Sequence, residues 1–329
     1  MNDEVMPPST PDFKNRKTGL MLFGIIQIIM GGMSFIFFIF TVFSLLLTSY
    51  INQAAQSQIQ PIQLLISLFF YLIIAVILIW LGVGSIGAKR WARALTLILS
   101  WFWLITGFIV LIIMIYLING GMDDLFQSSQ SVDPAIFKVI MVVMTFIMSI
   151  FMVVLPVGFI LFYNSKHVKK TVEHFDTKIR WTDKCPLPVL AASLMFGYTA
   201  VISVFNGAYG WVVPFMGFIF SGWIGALILL LNALVYAYLA FQFYNLDKRS
   251  WMLAIGYNAF WCISFIITFS RHSIYDMYEK MNFNEMQLAQ LKSMGMFENL
   301  IYLLVIIFLI YLGYILYIRR FFYTDKKII

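Results

Sequence analysis

Few residues in this chain are of a type that does chemistry, and most of those fall in one stretch. Residues 164–187 hold His167, Glu173, His174, Asp176, Asp183 and Cys185, the side-chain types from which zinc takes its ligands. The two histidines stand seven residues apart, which matches no compact ligand spacing, so no metal ligand is assigned. The same stretch carries six basic residues. It reads more simply as a solvated basic segment on an anionic inner leaflet, where each Lys or Arg near the headgroups contributes about 1 kcal/mol. Lys166, Lys169, Lys170, Lys178, Arg180 and Trp181 are the expected surface contacts. No serine or cysteine has an identifiable His and acid beside it, so no catalytic residue is named and the chain is not expected to be an enzyme.

Gly82-Val83-Gly84-Ser85-Ile86-Gly87 spells the dinucleotide pattern G-x-G-x-x-G. That motif needs a strand before it, a helix after it and an acid about 20 residues on. Here it closes an apolar run, and no Asp or Glu occurs between Gly87 and Asp123. No cofactor is therefore expected. Close helix packing accounts for these glycines, as it does for the small residues Gly217, Ser221, Gly222, Gly225 and Ala226.

The most informative feature is that no Asp, Glu, Lys, Arg or His falls mid-way along any apolar run. A charge at the bilayer centre costs about 2.5–3.5 kcal/mol on insertion scales, and chains that keep one commonly use it for ion or proton pathways. This argues against proton-coupled transport. The polar residues inside the runs are neutral: Gln27, Ser100, Thr106, Asn232, Gln242 and Asn258. Gln27, Asn232, Gln242 and Asn258 are the candidates for bonding between helices or lining a cavity.

The elements that carry these residues follow from composition. The chain has 329 residues, 62% hydrophobic and 11% charged, with a mean hydropathy of +0.89. Soluble domains have about 25% charged residues, so lipid is the solvent. A span needs about 20 apolar residues. Eight runs qualify, near residues 19–47, 62–86, 94–118, 134–163, 188–205, 211–243, 251–270 and 296–318. The first is too long for a signal-peptide core of about 7–15 residues and reads as a retained span. The sixth is longer than needed, so it is expected to tilt or break near Gly222 and Gly225. The expected fold is an all-α polytopic membrane protein of eight transmembrane helices. Residues 1–18 form a polar tail, 19–163 a first four-helix half, 164–187 the basic linker, 188–320 a second half and 321–329 a tail.

Threading the eight spans puts all but four of the 22 Lys and Arg residues on one side; Lys138, Arg271, Lys280 and Lys292 lie on the other. Cytoplasmic loops carry the Lys/Arg excess, which places both termini and the linker in the cytoplasm. The expected location is a bacterial inner membrane. The net charge of +7 thus reports orientation and not nucleic-acid binding. Cys185 and Cys262 fall in the linker and inside a span, and are not expected to pair. On the outer side, residues 271–295 include Ile274, Met277, Tyr278 and Met281 at helical spacing, an amphipathic stripe that could lie on lipid, grip a partner or pack as a lid. Asn284 and Gln287 suit a capping box opening a second short helix.

The halves resemble each other. Lys89-Arg90-Trp91 matches Lys248-Arg249-Ser250-Trp251, and Trp101 and Trp261 each follow ten residues on. Gly158–Tyr163 likewise parallels Gly313–Ile318. Two parallel four-helix repeats about an axis along the membrane normal would produce this, and so would recurrent interfacial aromatics. The expectation is a non-enzymatic membrane subunit or scaffold bound to the lipid bilayer and a membrane protein partner. The alternative is a permease or flippase for a neutral or amphipathic substrate, without an intramembrane carboxylate.

Overall fold

The computed structural model describes residues 13–51, 61–116, 118, 134–283, 285–293 and 300–323. Long helices dominate: α1 Lys17–Ile51, α2 Pro61–Ile86, α3 Arg90–Tyr116, α4 Pro134–Ser149 and α5 Leu155–Tyr163 precede the linker helix α6 Lys166–Phe175. After it come α7 Leu187–Phe205, strands β1 Val213–Phe215 and β2 Phe218–Phe220, then α8 Gly222–Tyr244 and α9 Lys248–Phe269. The short helices α10 Ile274–Lys280 and α11 Glu285–Ser293 lead to α12 Leu300–Tyr317 and α13 Arg319–Tyr323. Among the described residues eight helical segments are long and apolar enough to cross a membrane, and the protein is a multi-pass, all-α membrane protein. A helix satisfies its own backbone, which hydrocarbon cannot do. The outward side chains match that solvent: Leu161, Phe146, Leu234 and Ile310 are each at least 66% exposed.

Of the expected capping box, Asn284 lies outside the described residues. The amphipathic segment is capped at α10, where Ser273 and Asp276 close a capping box. The fourth span is interrupted. Pro156 lacks the N–H that an α-helix would give to the Met152 carbonyl, and the chain widens into a π-helical segment, Ile150–Val154, whose longer bonding step passes over the missing donor.

By contact the chain divides into two compact units, residues 1–104 with 154–183, and residues 105–153 with 184–329. In the first unit, α1 and α2 cross at glycine. A Cβ on Gly24 would stand 2.8 Å from the Gly82 carbonyl oxygen, and one on Gly82 would stand 2.7 Å from that of Gly24. Gly84 makes room for the Trp91 ring, which stacks on Trp80 with centroids 4.2 Å apart. The glycine motif is thus a packing device, as expected. The fully buried Tyr163 closes this unit: its hydroxyl lies 2.5 Å from Ser85 Oγ, which donates to the Leu20 carbonyl at 3.0 Å.

In the second unit, the sixth span starts at Gly222 and not at 211. The residues before it form a β-hairpin with Val213 opposite Phe220 and Phe215 opposite Phe218. Met216 and Gly217 both take positive φ, 49° and 90°, as a type I′ turn requires. Their N–H groups donate to Ser264 Oγ at 2.8 Å and Thr268 Oγ1 at 2.9 Å, both fully buried on α9. Gly217, Gly222 and Gly225 therefore serve this hairpin and not a helix–helix crossing. A Cβ on Gly225 would meet the Trp211 carbonyl oxygen at 1.9 Å. Val213, Leu229 and Trp261 form a buried cluster beneath the hairpin.

The turns α2–α3 and α8–α9 are built alike. Ala88 and Leu246 both take the left-handed conformation, at φ 48° and 58°. Around them Gly87, Ala88 and Lys89 donate to Val83, Ser85 and Gly84; Asn245, Leu246 and Asp247 donate to Phe241, Phe243 and Gln242 in the same order. This is the Schellman pattern of a helix end.

Replacing Gly82 with Ala forces α1 and α2 apart and should lower stability by about 1–3 kcal/mol. Gly32→Ala, where a Cβ meets nothing within 4 Å, should be neutral or gain up to about 1 kcal/mol. Thermal unfolding of the two variants in one detergent checks the contrast.

Candidate functional site

Two polar constellations stand out in the first unit. One is built by the linker. Helix α6 turns Val168, Thr171 and Val172 inward. Thr171 Oγ1 donates to the His167 carbonyl at 2.7 Å and accepts the Arg16 N–H at 3.1 Å. His167 Nδ1 accepts the Lys14 N–H at 3.3 Å, and Lys17 Nζ lies 4.5 Å from the centre of the Phe175 ring. The linker helix so holds the segment that leads into α1.

Beyond α6, Asp176 is 5% exposed and is the centre of a clasp. Arg180 donates to it from Nε at 3.2 Å and from Nη2 at 3.0 Å, and the Arg90 N–H donates to Oδ2 at 3.2 Å. Arg90 Nε also donates to the Asp176 carbonyl at 2.7 Å, and Arg90 Nη1 lies 3.8 Å from Asp183. Arg90 opens α3, so the carboxylate meets the positive end of a helix dipole as well as the Arg180 guanidinium, while the Arg90 guanidinium holds the Asp176 carbonyl. Burial pushes the Asp176 carboxyl up. The hydrogen bonds from Arg180 and Arg90 and the charges of Arg180 and Lys89 outweigh it, and the group lies below its ordinary value.

The linker residues with metal-ligand chemistry are thus dispersed. Asp176 and Asp183 engage arginines, His174 packs edge-on to Phe13 and Phe175, and Cys185 is buried with its thiol pushed up to about 12 by burial. Among the described residues no three His, Cys, Asp or Glu side chains gather as a metal site. Of the expected surface contacts, Lys166, Lys169, Lys170, Lys178 and Trp181 are exposed, whereas Arg180 is drawn into the clasp.

The second constellation lies inside the spans. Gln27, 2% exposed, donates from Nε2 to Thr96 Oγ1 at 3.0 Å, and Ser100 Oγ donates to the Thr96 carbonyl at 2.7 Å. Gln27 Oε1 has no partner. These three side chains line a small cleft whose remaining walls are largely apolar, among them Leu78, Trp103 and Phe159. Spacing could not have paired Gln27 with Thr96, which stands 69 residues away.

The polar groups of the second unit are used in packing. Asn232 donates to Ser203 Oγ at 2.9 Å and accepts from Tyr257 at 2.8 Å, which joins α7, α8 and α9. Asn258 accepts from Tyr236 at 3.0 Å and donates to the Ala254 carbonyl at 2.7 Å. Gln242 is half-buried, and its carbonyl serves the α8–α9 turn. Ile274, Met277, Tyr278 and Met281 are half-buried; Tyr278 meets Phe283 edge-on, and Lys280 Nζ donates to the Ile219 carbonyl of the hairpin at 2.5 Å. Comparison with protein-family models, curated proteins and solved structures finds no match.

Asp176→Asn should destabilise the protein at neutral pH by roughly 1.5–3 kcal/mol, the range for a hydrogen bond to a charged group. A carboxyl held low stabilises the fold above its unfolded pKa of about 3.9 and loses that contribution as pH falls through the folded value. The gap between wild type and variant in thermal unfolding should therefore be full near pH 7 and close below about pH 4.

Proposed function

We propose that this membrane protein is a non-enzymatic component of a membrane assembly, acting through helix and loop contacts with a membrane protein partner. One observation carries the reading: Asn232 and Asn258 in the second unit's spans bond to side chains of neighbouring helices, Asn232 to both Ser203 and Tyr257 and Asn258 to Tyr236. No Asp, Glu, Lys, Arg or His stands mid-way along a span to couple transport. Purification in mild detergent should return a stoichiometric protein partner. A solitary protein that moves a solute in liposomes would sink the reading.

The linker and both termini face the cytoplasm of a bacterial inner membrane in this proposal, on the strength of the Lys/Arg count. The exposed Lys166, Lys169, Lys170 and Lys178, with Trp181, then meet anionic headgroups. The natural Cys185 is buried and protonated at neutral pH, so it stays silent to maleimide. In a Cys262→Ser background, Lys184→Cys should label only after cells are permeabilised; labelling of intact cells would reverse the threading.

The halves are read as parallel repeats. The matched turns at Ala88 and Leu246 support this, as does the burial of Ile160 and Tyr163 at positions equivalent to Ile315 and Ile318. A second reading, a permease or flippase for a neutral or amphipathic substrate, is favoured by the polar cleft at Gln27.

A further inference from the structure

We infer that the cleft beside Gln27 is a binding site for one small neutral hydrogen-bonding molecule of the size of water. The inference rests on neither functional reading above, because it concerns the cleft alone. Gln27 lies ten residues beyond Lys17 on α1, about 15 Å along the helix axis and half of the roughly 30 Å hydrocarbon thickness. Its side chain is almost wholly buried, and Oε1 is an acceptor with no donor. Turning the amide over does not relieve this, since it exchanges an orphaned acceptor for an orphaned donor. Buried polar atoms are paired in nearly all folded proteins, so an unpaired one on a side chain that lines a cleft points to a partner seated there.

The cleft supplies what that partner needs. Thr96 Oγ1 accepts the Gln27 bond and keeps its own proton to give, while Ser100 Oγ donates to the Thr96 carbonyl and keeps its lone pairs. A molecule seated there donates to Gln27 Oε1, accepts from Thr96 and donates to Ser100. These are the two to four polar partners that a buried water requires, and the space admits about one such molecule. The walls of Met30, Leu78, Leu99 and Phe159 are apolar, and no lining residue carries the charge that an ion would need. The ligand is therefore neutral and no larger than this.

The test uses the full chain, labelled with ¹⁵N-glutamine, in lipid nanodiscs, with water as the probe. The side-chain amide of Gln27, assigned by its loss in Gln27→Leu, should show a direct nuclear Overhauser contact at the water frequency. An assigned Gln27 amide without that contact overturns the proposal. Thermal unfolding gives a second reading. If the site is filled, Gln27→Leu expels the molecule and strips Thr96 and Ser100 of a partner, and the Tm should fall by at least about 3 °C. The change also breaks the Gln27–Thr96 bond, so the fall should exceed that of Thr96→Val, which breaks the same bond and leaves Oε1 in place; a Tm that holds or rises overturns the proposal.

Discussion

Hydrocarbon offers no hydrogen bonds, so every polar group taken into the membrane must meet another group of the protein. That constraint shapes both units more than any single contact does. Its plainest expression is the hairpin at residues 213–220, non-helical backbone next to a span. The two strands satisfy each other, the two N–H groups at the tip are met by Ser264 and Thr268, and the Ile219 carbonyl is met by Lys280. The Thr268 hydroxyl then passes its own proton to the Ser264 carbonyl, so the chain of donors ends on an acceptor. Asn232 obeys the same rule with side chains alone, drawing one partner from each neighbouring helix. Against this background the few buried polar atoms left unmet among the described residues call for a cause, and the oxygen of Gln27 is one of them.

The second constraint is close approach. Lipid tails are as apolar as leucine, so apolar side chains gain little by leaving lipid for each other, and helices associate through packing and hydrogen bonds. The Gly24–Gly82 crossing brings backbone against backbone and leaves no room for a methyl group on either helix. In the second unit Gly107 admits the Met152 carbonyl oxygen to 2.2 Å from where its Cβ would stand. That carbonyl lies four residues before Pro156, in the π-helical segment to which the missing N–H leads. One proline thus sets the helix geometry at Met152, and one glycine on another helix leaves space for the result.

How much of this could be read beforehand follows from the range of each signal. The spans are local, continuous and strongly apolar, so their number and most of their borders are legible. The turn at Asp247 is equally local, since its carboxylate caps α9 by accepting the Arg249 N–H. The hairpin escaped because Val-Val-Pro-Phe-Met-Gly-Phe-Ile-Phe is as apolar as a membrane helix. The signals against a helix were Pro214, Gly217 and a four-residue spacing of hydroxyls, Ser264 and Thr268, on a helix yet to come. The clasp at Asp176 was half visible, since Arg180 follows at i+4, but Arg90 lies 86 residues away. The Gln27 cleft depends wholly on such distant pairings. Hydropathy reads one helix at a time, and these features belong to pairs.

The clasp also separates two roles that a count of charges merges. Arg180 and Arg90, both in or beside the linker, engage Asp176, whereas Lys166, Lys169, Lys170, Lys178 and Lys184 stay exposed. A planar guanidinium with five fixed donors suits a carboxylate and a carbonyl together, as Arg90 shows between Asp183 and the Asp176 carbonyl. An ammonium is a compact, strongly hydrated point charge, better left in water or among headgroups. Both kinds count equally toward the charge bias that orients a membrane chain, because that bias acts on the nascent polypeptide before any clasp has formed. In the folded protein they part company. The arginines hold the linker to the α2–α3 turn, and the lysines keep to the exposed surface, where Lys169 pairs with Glu173 one turn along its own helix.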